Sequence, residues 1–164
     1  MRLCVTAVAI VAAALTATGV GATDRPQALD ARGTVSAAPA GRDPVRWKVE
    51  IARTVTEQAT GLMHRRSMPA GTGMLFDFGD SRPVAMWMRN TFIPLDMVFA
   101  CADGTVARVA RALPLDETVI FSGEPVRFVL EVNAGEATAA GLRRGERLAF
   151  DGVEAAAPSA TCGR

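Results

Sequence analysis

The chain has no tyrosine and only one histidine, His64, among its 164 residues. A Ser-His-Asp triad would have to be built on His64. That residue is followed directly by Arg65 and Arg66, two cations that disfavour an imidazolium beside them, and no carboxylate adjoins it to orient the ring. Cysteine is also scarce. Only Cys4, Cys101 and Cys162 are present, no Cys-x-x-Cys pair occurs, and one histidine with distant cysteines does not make a standard zinc spacing. No glycine-rich loop leads into a lysine in phosphate-binding form, since Gly71-Thr72-Gly73 is too short a pattern. Charge of one sign is missing as well: the formal net charge is +1, and neutral balance gives no electrostatic case for nucleic acid or anionic membranes.

What is present begins with an export signal. Arg2 precedes an apolar run, Leu3 to Leu15, of a length suited to secretion and short for a membrane span. Val20 and Ala22 supply small residues for cleavage before Thr23, so residues 1–22 are expected to be a signal peptide. The competing expectation is an uncleaved anchor. Cleavage would leave a neutral chain with no stable membrane insertion, located in the periplasm or secreted. In that oxidising setting Cys101 and Cys162 could pair, closing a long loop that contributes about 4 kcal/mol in the chain-entropy model; two free thiols are the alternative.

Residues 23–43, with Pro26, Gly33, Pro39 and Gly41, show no helical or strand period and read as a flexible linker. The domain is expected over 44–151, followed by a flexible tail over 152–164. Within it, Val45, Trp47, Val49 and Ile51 alternate with polar residues, the pattern of a half-buried strand. Thr54 and Glu57 have capping-box spacing and predict a short helix from Val55 to Met63. Further strands are expected at 73–78, 84–88, 95–102, 105–110, 126–132 and 147–150, with a two-residue turn at Asp103-Gly104. A second short helix is expected to start with Asn133 and Glu136 as caps and to stop at Gly141. The fold class is therefore mainly β, an antiparallel β-sandwich or distorted barrel with two short helices.

Several segments carry a family resemblance: GLM at 61–63 with Arg65, GMLFDF at 73–78, WMRNTFIPLDM at 87–97, the Asp103-Gly104 turn, VLEVNAG at 129–135 and GLRRGERL at 141–148. In order and spacing they resemble the family known as domain of unknown function 192, over about 45–150. The resemblance implies a compact, mainly β, often exported domain and brings no mechanism.

The run 84–97 places Arg89, Asn90 and Asp96 among apolar residues. Asp96 and Glu131 are the carboxylates that could divide acid and base roles in a hydrolase. Counting back from the 103–104 turn sets Asp96 opposite Arg111, so a cross-strand ion pair is the competing expectation. Glu131, on the strand face opposite Phe128 and Leu130, could equally be solvated. Met86 and Met88 flank Trp87, and thioethers converging in an exported protein could bind Cu(I); core filling is the plainer reading. Arg65, Arg66 and Arg89 could hold an anion, although cations after a short helix also suit its C-terminal dipole. Asn90 is read either as a turn residue or as a pocket donor and acceptor.

These readings point first to a non-enzymatic ligand-binding or envelope-accessory domain. Its shallow pocket is expected to be lined by Trp87, Asn90, Asp96 and Glu131, with Arg65 at the rim. The expected partner is a small molecule or an envelope protein, and no cofactor is expected.

Overall fold

The computed structural model describes residues 25–153, so the expected signal peptide, Cys162 and nearly all of the expected tail lie outside the described residues. In chain order the elements are β1 (Arg32–Ala37), β2 (Val45–Ala52), α1 (Val55–Thr60), β3 (Thr72–Arg82), β4 (Ala85–Met86), β5 (Leu95–Ala100), β6 (Val106–Ala112), β7 (Ile120–Phe121), β8 (Val126–Asn133), α2 (Glu136–Ala139) and β9 (Leu148–Asp151). Seven strands form one curled sheet in the order β6-β5-β8-β3-β2-β1-β9, and β4 with β7 forms a separate two-stranded piece. The expected distorted barrel is thus present as a half-barrel. Its two edge strands are tied at one end by an antiparallel bridge, Thr105 to Arg147. The bridge is flanked by hydrogen bonds from Val106 N to Glu146 O and from Leu148 N to Gly104 O, both 2.8 Å.

The sheet departs from the all-antiparallel expectation in one place. β2 and β3 run parallel, and the crossover between them carries α1. That helix starts as the sequence predicts: the Thr54 side chain accepts from Glu57 N at 3.2 Å, and the Glu57 carboxylate accepts from Thr54 N at 2.8 Å. It ends three residues earlier than expected, at Thr60, with Gly61 at its C-terminus.

Part of the expected linker is structured. Residues 32–37 are β1, paired with β2 on one side and β9 on the other. Upstream, the Gln27 side-chain amide donates to the carbonyls of Glu57 and Gly61. Alternating small residues, Val35 and Ala37 against Thr34 and Ser36, give β1 a weak pattern; two flanking partners supply what propensity does not.

The β5–β6 hairpin shows how a correct register can come from a wrong turn. The connection is three residues long rather than two, with Cys101 N donating to Thr105 O. A bulge then leaves Ala107 unpaired between Val106, opposite Ala100, and Arg108, opposite Phe99. The bulge restores the one-residue offset, so Asp96 does face Arg111.

Both faces of the central strands are covered. One face, with Trp47, Val49, Ile51, Leu75, Val98, Phe128, Leu130 and Val132, fills the half-barrel interior together with Ala137 and Leu142. The other, with Met74, Phe76, Leu95, Met97, Phe99 and Val129, lies under Leu62, Val84, Met88 and Ile93. Consequently β5 is buried along its whole length and β8 nearly so. At Gly73 a side chain is excluded by close approach: a methyl there would lie 2.4 Å from the Glu131 carbonyl oxygen.

Candidate functional site

The register decides which of the expected site residues can meet. Met97 is opposite Glu131 and Asp96 is opposite Val132. Residues paired across strands share a face, and neighbours along a strand do not. Asp96 therefore belongs to the half-barrel face and Glu131 to the other. The expected pair of carboxylates dividing acid and base roles is overturned by this alternation: the sheet itself stands between them.

Asp96 is fully engaged. Its carboxylate accepts from Gly135 N at 2.8 Å and Ala137 N at 3.1 Å, and lies 3.0 Å from Arg111 Nε. It anchors the start of α2 and lines no cavity with Trp87. The cap of α2 also differs from expectation. Gly135, at φ 98°, is the N-cap. The Asn133 side chain donates to Met68 O and Pro69 O as well as to Glu136, and Glu136 accepts from the Trp47 indole at 2.7 Å.

Arg65 is occupied too. Its guanidinium holds the Glu50 carboxylate through two hydrogen bonds, 2.9 and 2.7 Å, and donates to Gln27 O. The Glu50 carboxyl is lowered overall: burial raises it, and the Arg65 bonds, the Leu29 N–H and the Arg32 charge together outweigh that. Asn90 is a turn residue at φ 54° whose carbonyl accepts from His64 N. Arg65, Asn90 and Asp96 are thus removed from the expected lining.

Trp87 and Glu131 remain, and the structure brings them together. Both line one cavity of about 320 Å³, walled by Leu62, Met63, Phe76, Phe78 and Met86, with Thr91 and Arg82 among its polar members. Glu131 is only 4% exposed. Neighbouring strands place Met74 and Met97 beside it, and no hydrogen bond or ion pair reaches its carboxyl among the described residues. Burial in these apolar surroundings pushes its pKa up to about 8. At neutral pH Glu131 is therefore mostly a neutral acid, holding a proton that no protein group receives. Its oxygens are nevertheless not sealed off completely, since the one fully buried side-chain polar atom without a partner among the described residues is Ser81 Oγ.

The expectation that Glu131 is solvated is reversed, because 61–63 and 84–93 lie over its strand face. Met86 lines the same cavity, whereas Met88 is 1% exposed in the adjoining core, so their thioethers serve packing. No group of three or more His, Cys, Asp or Glu suited to a metal occurs among the described residues. Cys101 is disulfide-bonded; Cys162 lies outside the described residues.

Sequence reasoning missed the cavity's aromatic wall of Phe76 and Phe78. It also missed a buried ion pair, in which Arg127 Nε and Nη2 meet the Asp77 carboxylate at 2.9 and 3.2 Å. The available signal was the run GMLFDF, apolar on both strand faces, which marks a strand covered on both sides.

Fold and cavity together define a small half-barrel β domain with a lateral apolar pocket and one buried acid. Over residues 36–150 the chain matches the family model DUF192, described as an uncharacterized ACR. The chain belongs to this family. It is similar to a Sinorhizobium meliloti protein of known crystal structure, proposed there to be a transcription regulator. Identity is 42%, coverage is 77% of this chain and 99% of that one, and the TM-score is 0.73. A Novosphingobium aromaticivorans protein of unknown function is 36% identical, over 71% of this chain and 83% of its own, with a TM-score of 0.67. No curated protein matches the chain.

Proposed function

We propose that this domain is an exported, non-enzymatic binding module whose site is the Glu131 cavity. The observation that carries the reading is the buried carboxyl without a partner, opening into an apolar pocket. Its proton faces the pocket with no protein acceptor, and a ligand that supplies one would gain a hydrogen bond there. The ligand chemistry follows from the walls: a small, largely apolar molecule with one carbonyl or similar acceptor for the Glu131 proton. At about 320 Å³ the cavity is near the lower end of ordinary ligand sites. The N-terminal apolar segment and the Cys101 disulfide support export, which is the usual setting for stable disulfides.

A hydrolase built on Glu131 alone is less well supported. A raised carboxyl is suited to general acid chemistry, but the cavity offers no activated nucleophile. Its lining hydroxyls are already committed, Thr60 to Thr56 O and Thr91 to Arg89 O.

Trp87 gives the test. Titrating the purified chain with neutral primary amides of increasing chain length should give a saturable fluorescence change from Trp87. Trp47, buried in the other core cluster, should stay constant. The signal should be lost in Glu131→Leu, which keeps the wall and removes the proton. Absence of saturation with every chain length would sink the proposal.

A further inference from the structure

Six of the seven large apolar side chains left exposed among the described residues gather in one place; the seventh is Val55 on α1. Trp87, Phe92, Leu113, Leu115, Val119 and Phe121 are between 41% and 61% exposed. They come from two apposed stretches. Met88 N donates to Asp116 O and Leu115 N to Thr91 O, while Phe121 pairs with Ala85 and Ile120 with Met86. The six residues therefore form one ridge along the β4–β7 side of the molecule, an apolar concentration that is uncommon on soluble surfaces.

Arginines interleave with this ridge. Arg66 lies over the Phe92 ring at 5.7 Å and Arg89 over Trp87 at 5.8 Å. Arg108 donates to the Phe121 carbonyl, and Arg82 lines the cavity beside Trp87. None of the four has a carboxylate partner among the described residues, in contrast to Arg65, Arg111, Arg127 and Arg144 elsewhere. The acids on the ridge are Asp116, whose carboxyl accepts from Thr118 N, and Glu117. Four unpaired guanidinium groups against two carboxylates leave it positive.

Backbone geometry adds an independent observation. Leu115 is held at φ 60°, in the left-handed region, and its side chain is 56% exposed. That conformation suits Gly or Asn at a turn. A leucine there is disfavoured by its backbone and gains little from burial within the chain, so its presence asks for a contact outside it.

We propose that this ridge docks on the surface of an anionic lipid bilayer. Trp, Phe and Leu at loop tips enter the headgroup boundary, and the interleaved arginines meet lipid phosphates. The chemistry favours a bilayer over a protein groove because five of the six apolar residues project from loops and no carboxylate pairs with the cations among the described residues. The proposal rests on the export reading only for where the bilayer is met, and does not depend on what fills the Glu131 cavity.

The test is sedimentation of the purified chain with vesicles of phosphatidylethanolamine and phosphatidylglycerol in a 3:1 ratio. Vesicles of phosphatidylcholine alone serve as the reference. Anionic vesicles should bind the chain, and added salt should weaken the binding. Reversing both Arg66 and Arg89 to Glu should cut affinity at least about tenfold. Leu115→Asn combined with Phe121→Ser should cut it comparably. Leu115→Asn alone should raise the melting temperature, so lost docking cannot be assigned to unfolding. Equal binding to both vesicle types, or binding unchanged by these variants, overturns the proposal. So would loss of binding to a defined envelope protein in the variants without any vesicle binding by the parent chain. No ligand is added, so a failure here leaves the amide titration of the cavity standing.

Discussion

Asp96 and Glu131 sit on neighbouring strands of one sheet, 2% and 4% exposed, and burial has opposite consequences for them. Asp96 faces the half-barrel and receives two backbone N–H groups and a guanidinium. Glu131 faces the other core and receives nothing among the described residues. A buried carboxylate with three donors is part of the scaffold. One with none stays protonated and is open to a ligand. The degree of burial does not separate these two acids; the count of donors does.

The sharpest way to test this contrast is pH. In the unfolded chain Glu131 titrates near 4.5, and in the folded chain near 8. Below pH 4.5 both states hold the proton and the group has no effect. Between these values only the unfolded chain loses it, so stability falls as pH rises, and the loss is complete above pH 8. The full difference amounts to about 5 kcal/mol. Chemical denaturation of Glu131→Gln should therefore show a much flatter stability profile over this range than the parent chain. Parallel profiles would mean that the acid is not buried and unpaired as described.

Next in size is Asp96→Ala. It strands the Gly135 and Ala137 N–H groups and should destabilise the fold by about 3 kcal/mol at pH 7. A loss below about 1 kcal/mol would remove the distinction between the two acids. Leu115→Asn follows, outside the pair but sensitive to the same question of what the fold satisfies internally. Relief of the left-handed leucine should raise stability by about 1 kcal/mol, read from denaturation midpoints. Smallest is Arg111→Ala. Arg111 is 55% exposed, so its pair with Asp96 is screened and should contribute about 0.5 kcal/mol. A loss as large as that of Asp96→Ala would shift the weight from the backbone donors to the ion pair.

Much of the scaffold was legible. The alternation in 45–51 predicted β2, and Thr54 with Glu57 predicted the start of α1, because both signals are local. The register of Asp96 against Arg111 was also predicted, although the turn and the bulge behind it were not. β1 and β7 were missed, since β1 is weakly apolar and β7 is only two residues long, and each becomes a strand only through its partners. The site was less legible than the fold. Trp87 and Glu131 were singled out, but the expected lining joined them to Asp96, Asn90 and Arg65, each of which is engaged or placed elsewhere.

The sequence by itself determined the class of fold, the strand faces and the family, because periodicity, caps and motif spacing are properties of neighbouring residues. It even placed Glu131 on the face away from Phe128 and Leu130. Only the tertiary structure decided what covers that face. Residues 61–63 and 84–93 fold over it from a long way along the chain, which turns a position that alternation reads as solvent into a buried acid. Solvation depends on what packs above a residue, and that is set by long-range packing rather than by its neighbours in sequence.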